Sequence, residues 1–191
     1  MKNWGKKVPL ENFRRVDKTL YTSALPTKEK GIDFLLRNNF GAVVSIARME
    51  PRLSKRLEAG GIKVHDFVGD YSFVTGLPIV WSGKVQGFFR IVAENELCGK
   101  RVLVHCYGGF HGAGFFSSMY KAVKGLPIEI TEMPFLYHAE YLKKLYSQAL
   151  VSAAKKLRIL PSRPPRAILK WMKRHGKKVI VAKPIGRRRL K

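Results

Sequence analysis

The sequence predicts an α/β protein in which a mainly parallel central sheet is flanked by helices and carries basic extensions at both ends. Hydrophobic residues make up 46% of the 191 residues, which is enough for a packed core in one domain of this length. Short apolar runs between turn signals predict strands near residues 19–22, 42–46, 62–68 and 101–105. Helical patterns separate these runs, and strands that alternate with helices form parallel sheets covered on both faces.

Helices are predicted where apolar residues recur at helical spacing between residues that start or stop a helix. The second of them begins with Pro51 in its first turn and ends before a pair of glycines at 60 and 61. The predicted helices cover residues 27–38, 51–59, 78–97 and 115–123.

Both ends of the chain differ from this predicted domain, which spans residues 19–159. Residues 1–18 form a basic arm in which Trp4 and Phe13 are mixed with lysine and arginine. Residues 160–191 form a basic C-terminal extension, with a stiff proline-containing linker at 161–165 and a short basic amphipathic helix at 166–175.

The positive charge of the chain is concentrated at its C-terminal end. The formal net charge is +24, and residues 141–191 contain 17 lysines and arginines and no acidic residue. Such a run is either a solvated face or a surface that binds a polyanion, and the absence of any acid over 51 residues favours the polyanion. An acidic membrane is a weaker alternative, because the apolar face of the 166–175 helix is short and no lipidation signal accompanies it.

A glycine-rich stretch joins the strand near 101–105 to the helix that follows it. Residues 104–114 read Val-His-Cys-Tyr-Gly-Gly-Phe-His-Gly-Ala-Gly. Backbone amides and the helix dipole at a helix N-terminus attract anions, so this loop is a candidate phosphate site. Cys106 stands at the start of this loop. A lone cysteine in an apolar neighbourhood is usually a small buried hydrophobic residue.

This layout resembles the signature of the cysteine-dependent protein tyrosine and dual-specificity phosphatases: a His-Cys pair, five residues, an Arg, a Ser or Thr, and a Gly. Residues 20–26 and 41–46 also resemble the family's opening strand and first core strand, so the resemblance covers roughly residues 15–150. It implies a phosphatase-like sheet, a helical pair within residues 129–159, Cys106 as nucleophile and Asp70 as general acid, with Asp66 as a weaker candidate. It further implies a phosphate loop that contains His105, Gly108, Gly109, His111, Gly112 and Gly114.

The sequence departs from the signature at two positions, because Gly112 stands in place of the Arg and Ala113 in place of the Ser or Thr. The family's Arg holds two phosphate oxygens with a permanent charge in a planar fork. By analogy with arginine fingers, its loss costs roughly 10³-fold or more in rate. A neutral imidazole at His111 is a poor substitute, and Arg48 or Arg52 substitutes only if the fold brings it to the loop.

The sequence therefore predicts a phosphatase-like domain without catalytic activity that binds RNA, as a structural protein of the ribosome or another ribonucleoprotein. Its expected partners are ribosomal RNA and neighbouring ribosomal proteins. One alternative is an active cysteine phosphatase that acts on RNA 5′ phosphates or on proteins, since residues 109–114 look like the RNA phosphatase branch of the family. Another is an adaptor for phosphoproteins. The residues predicted to bind RNA are Lys6, Lys7, Arg14, Arg15, Arg163, Arg166, Lys170, Trp171, Lys173, Arg174, Lys177, Lys178, Lys183, Arg187, Arg188, Arg189 and Lys191.

No cofactor, metal site, membrane span or stable homo-oligomer is predicted. Cys98 and Cys106 do not make a disulfide framework, and the N-terminal residues lack the apolar core of a signal peptide, so we expect a reducing, cytoplasmic location. Glutamine occurs only at Gln86 and Gln148, and this scarcity of thermolabile amides points to a thermophilic source.

Overall fold

The computed structural model describes residues 8–68, 82–127 and 139–157, which form a five-stranded sheet with helices on both faces. The strands are β1 (Arg14–Arg15), β2 (Leu20–Ala24), β3 (Phe40–Ser45), β4 (Lys63–Asp66) and β5 (Arg101–Cys106). The helices are α1 (Glu29–Arg37), α2 (Pro51–Ala59), α3 (Ser82–Leu97), α4 (His111–Lys124) and α5 (Ala139–Lys156).

The strands lie in the order β1-β2-β5-β3-β4, which places the last described strand at the centre of the sheet. β1 runs antiparallel to β2, and the other neighbouring strands are parallel. At the end of β5, Cys106 pairs with Ala24 of β2, and His105 pairs with Ser45 of β3. The mainly parallel α/β sheet that the sequence predicts is confirmed.

Hydrophobic residues on the two faces of the sheet form two separate clusters, because successive side chains of a strand point to opposite faces. One cluster includes Val104 and Cys106 of β5, with residues of α3, α4 and α5. The other includes Leu103 of β5, with residues of α1 and α2. The alternation along β5 therefore decides which layer each of its side chains enters.

A partly buried polar network ties the helices of the first face together. Lys124 of α4 places Nζ 2.7 Å from a carboxylate oxygen of Glu96 on α3, and the Tyr146 hydroxyl of α5 donates to the same carboxylate. The Tyr120 hydroxyl donates to Asp17 at 2.8 Å. Burial, followed by the neighbouring charged or ionisable groups, raises the pKa of both tyrosines far above the usual range, so both hydroxyls stay protonated as donors.

Two elements differ from the prediction by more than one or two residues at an end. The predicted basic arm includes the edge strand β1 and a buried Leu10, which the sequence does not reveal because two consecutive arginines carry no apolar pattern. The helix predicted to start at Phe115 starts instead at His111, and the Gly114 N–H donates to the Phe110 carbonyl at 2.8 Å. Two glycines in this first turn lower its intrinsic helix propensity, so the sequence pattern places the start too late.

Several predicted features lie outside the described residues: Asp70, the beginning of the 78–97 helix, the first part of the 129–159 pair, and the extension over 160–191. Within the described ranges, no helix is long and apolar enough to cross a membrane, and no group of three or more His, Cys, Asp or Glu side chains is placed to hold a metal ion.

Candidate phosphate-binding loop

Cys106 ends the central strand, and four residues connect it to the first residue of α4. Its side chain is buried, and its Sγ accepts a hydrogen bond from the Gly109 N–H at 3.2 Å. The thiol therefore lies at the base of a short loop that opens at a helix N-terminus, where backbone amides lack acceptors within the helix. Cys106 as nucleophile and the loop as an anion site stay predictions.

Two carbonyl groups of the loop are held by residues of the N-terminal part of the chain. The Leu25 N–H donates to the Tyr107 carbonyl at 3.2 Å, and the Asn12 side-chain amide donates to the Gly108 carbonyl at 2.9 Å. In a planar trans peptide the N–H points opposite to the C=O, so these two bonds direct the amides of Gly108 and Gly109 away from Leu25 and Asn12. The loop amides are oriented by anchors outside the loop.

Gly109 is required by the path of this loop. Its φ of +81° lies in the left-handed region that favours glycine. A Cβ on Gly109 would lie 2.6 Å from the backbone nitrogen of Ala24 and 2.7 Å from the carbonyl carbon of Ser23. Glycine lets the loop lie directly on β2 and keeps the Gly109 amide near Cys106.

His105 lies on the opposite face of the sheet from Cys106, so it supports the strand and does not face the loop interior. Its Nε2 is 2.6 Å from Ser45 Oγ, and burial lowers its pKa from 6.5 to about 4. Its Nδ1 is buried without a hydrogen-bond partner in the described structure. We assign the hydrogen to Nε2, because a buried N–H without an acceptor costs more than an unused acceptor.

Gly112 and Ala113 are buried in the first turn of α4, at the positions where the signature has Arg and Ser or Thr. Arg52 does not substitute, because its guanidinium pairs with Glu29 at 2.7 Å on the surface of α1 and α2. His111 is exposed on the first turn, as expected for a solvated histidine. The described loop therefore offers backbone amides to an anion, without the guanidinium of the signature.

Among the described residues, Arg14 contacts this loop. It does so through the ring of Phe110, for which the sequence predicts no role. Its guanidinium carbon lies 4.8 Å from the centre of the Phe110 ring. The sequence predicts Arg14 and Arg15 as RNA contacts without indicating that β1 borders the loop. Asn12 was also missed, and the one local signal for it is that asparagine tolerates its left-handed φ of 51°.

The remaining predicted site residues are not brought together with Cys106 by the described structure. Asp66 lies at the end of β4, separated from β5 by β3, and its carboxylate accepts the Val68 N–H at 2.8 Å. Two strand spacings amount to roughly 10 Å, which is too far for direct proton transfer. Asp70, Lys6, Lys7 and the predicted RNA contacts from Arg163 to Lys191 lie outside the described residues.

No protein-family model matches this sequence, and no curated protein matches it. Solved structures do resemble it. The core catalytic domain of PP-IP phosphatase SIW14 from S. cerevisiae in complex with citrate has a TM-score of 0.53 and 16% identity, over 82% of this chain and 98% of that chain. A mutant form of Tk-PTP has a TM-score of 0.50 and 19% identity, over 76% and 96%. PTPMT1 in complex with PI(5)P has a TM-score of 0.50 and 17% identity, over 74% and 99%.

The chain thus has the fold of the cysteine-based protein tyrosine and dual-specificity phosphatases, as its sequence predicts. At these identities the likeness shows the fold and not the activity of this chain.

Proposed function

We propose that the protein binds a phosphate end of RNA in the Cys106 loop and removes it as a cysteine-dependent phosphatase with a non-standard phosphate-binding group. The observation that carries this proposal is the placement of Cys106 Sγ beneath an amide-lined loop at the start of α4, with the Gly109 N–H 3.2 Å from the sulfur. The solved structures with this fold include phosphatases, and the chain keeps the cysteine of the phosphatase signature that its sequence resembles.

The chemistry follows the two-step route of covalent catalysis. Cys106 Sγ attacks phosphorus, and the P–O bond to the RNA breaks as the leaving oxygen takes a proton. Asp70 is the candidate donor of that proton. Water then attacks the phosphocysteine and gives a proton back to the Asp70 carboxylate. The P–S bond breaks, which releases inorganic phosphate and regenerates the thiolate. The loop amides stabilise the equatorial oxygens, and without an arginine at position 112 we expect a rate roughly 10³-fold below that of an intact enzyme.

RNA is the proposed substrate class because of charge. The net charge of +24 suits a polyanion, and phosphate contacts by Lys and Arg dominate the affinity of such proteins for nucleic acids. In the part of the chain that the structure describes, Arg14 carries this positive charge to the edge of the loop.

The test is phosphate release from a 5′-phosphorylated oligoribonucleotide by the full chain, followed over hours because turnover is expected to be slow. Replacing Cys106 by Ser is expected to abolish both the release of phosphate and the labelling of the protein with phosphate. The matched control is Cys98→Ser, which changes an exposed cysteine after α3 and leaves the rate unchanged. Phosphate release by C106S at the wild-type rate would rule out this mechanism. So would alkylation of Cys106 in the wild type at the same rate with and without vanadate.

A second candidate function is RNA binding without turnover, within the ribosome or another ribonucleoprotein. It is favoured by Gly112 and Ala113 in place of the catalytic pair, and by the 17 unopposed cations of residues 141–191. Co-sedimentation of the protein with ribosomal particles, reversed by high salt, together with no Cys106-dependent phosphate release, would favour this second function. Adding Arg at position 112 and Thr at 113 is then expected to restore oxyanion binding.

A further inference from the structure

Two aromatic rings project from the phosphate loop into solvent. Tyr107 is 76% exposed and Phe110 is 47% exposed, and they are the large hydrophobic residues that stand out as exposed in the described chain. Other aromatic side chains, such as Phe88 and Phe116, are fully buried. Exposed apolar surface on a soluble protein can mark a binding site. Both rings lie in the four residues that connect the nucleophile to α4.

Arg14 joins these rings from the neighbouring strand. Arg14 pairs with Thr22 of β2, and Thr22 pairs with Val104 of β5. Directly paired side chains share a face of the sheet, so Arg14 lies on the face of Val104 and Cys106. Its guanidinium lies 4.8 Å from the Phe110 ring centre, within the range of a cation–π contact. Among the described residues it has no acidic partner, so its charge is available to an anion.

We propose that Tyr107, Phe110 and Arg14, here called the aromatic rim, bind the terminal nucleotide of RNA whose end phosphate occupies the Cys106 loop. The rings stack on the nucleobase, and Arg14 contacts the next backbone phosphate. This inference rests on the proposed function, and it adds a requirement for a nucleoside beside the phosphate. Every base offers a flat π face, so the rim selects nucleotides over simple phosphate esters without reading sequence.

The rim is tested by comparing the affinity of the full chain for inorganic phosphate and for a short 5′-phosphorylated oligoribonucleotide. The double change of Tyr107 and Phe110 to Ala is expected to lower oligonucleotide affinity about tenfold more than phosphate affinity. The matched variants Y107F and F110Y keep both rings and are expected to stay within about twofold of the wild type. Equal losses for both ligands, or no loss for the oligonucleotide, would overturn the proposal.

The role of Arg14 is tested by comparing Arg14→Gln with the control Arg15→Gln. The Arg15 side chain lies on the other face of the sheet and donates to the Asp17 carbonyl. Loss of one phosphate contact lowers the slope of log affinity against log salt by about 0.7 for a single strand. We expect that decrease to be larger for R14Q than for R15Q. An equal effect of the two changes would remove Arg14 from the rim.

The same oligoribonucleotide with a 5′ hydroxyl separates the rim from the proposed function. If the wild type does not distinguish the two ends and binds no inorganic phosphate, the proposed function fails. In that case the aromatic rim is supported if loss of the two rings lowers the affinity for the hydroxyl-ended RNA, and it is refuted if that affinity is unchanged. A phosphotyrosyl peptide is the comparison ligand. If removal of the rings lowers the affinity for this peptide more than the affinity for either RNA, the rim binds protein substrates and the proposal is overturned.

Discussion

Replacing Gly109 by Ala is expected to be among the most damaging single-methyl changes in the described chain. An L-residue at a φ of +81° costs about 1–2 kcal/mol. The added Cβ would also lie 2.6 Å from the Ala24 nitrogen and 2.7–2.9 Å from the Ser23 carbonyl group. Both contacts are with backbone atoms, which no rotamer change relieves, and overpacking of this kind costs about 1–3 kcal/mol. The free energy of unfolding is therefore expected to fall by about 2–5 kcal/mol.

Gly61→Ala is the matched control, because Gly61 has a φ of +83° and no atom within 4 Å of the added Cβ. It isolates the backbone strain, so its expected cost is about 1–2 kcal/mol. Urea denaturation measures the free energy of unfolding of both variants, and titration with vanadate measures the anion affinity of the loop. We expect vanadate affinity to fall at least tenfold for G109A alone, because the clash separates the Gly109 amide from Cys106. Equal costs for the two variants, with unchanged vanadate binding, would refute the argument that the loop needs direct contact with β2.

Three further predictions concern pH, the polar network and the C-terminal extension. Burial lowers the pKa of His105 to about 4, so the unfolded chain binds its proton more tightly. Stability is then full above pH 6.5 and falls by about 3 kcal/mol as the pH drops to about 4, and urea titrations of His105→Gln should lack this dependence. Glu96→Gln should lower the free energy of unfolding by about 2 kcal/mol, because it leaves the partly buried Lys124 without its countercharge. Glu94→Gln loses a more exposed ion pair and should cost less than about 1 kcal/mol; thermal or urea unfolding measures both. Deleting residues 161–191 removes 12 lysines and arginines; if half of them contact phosphates, the salt slope of RNA binding should fall by roughly 4 to 5, and an unchanged slope would place RNA binding on the domain.

The main strands and helices were predictable because their signals are local. An alternating or β-branched run such as that of β5 contains its own evidence, and Pro51 with the glycines at 60 and 61 marks both ends of α2. The position of the loop was predictable for the same reason, since its glycines and Cys106 follow one another in the sequence. The strand β1 has two arginines and no apolar alternation, so it is defined only by its pairing with β2.

The supports of the loop were not predictable, because they join residues that lie far apart in the sequence. Asn12 holds the carbonyl of a residue 96 positions later, and Arg14 meets Phe110 across the same interval. Hydrogen bonds and cation–π contacts of this kind leave no periodicity in the sequence. The pairing of His105 with Ser45 is likewise a consequence of strand order, which places β5 beside β3.

The central position of β5 has a consequence for how the chain folds during synthesis. Before residues 101–106 are available, β1 with β2 and β3 with β4 are two ribbons of two strands each, with no described strand to join them. Two-stranded ribbons are marginally stable in water and present unpaired edges. Insertion of β5 joins the ribbons, removes two open edges and places Cys106 in one event. β5 is therefore the element that completes the described sheet, and a nascent chain arrested before it is expected to be sensitive to proteases and prone to aggregation.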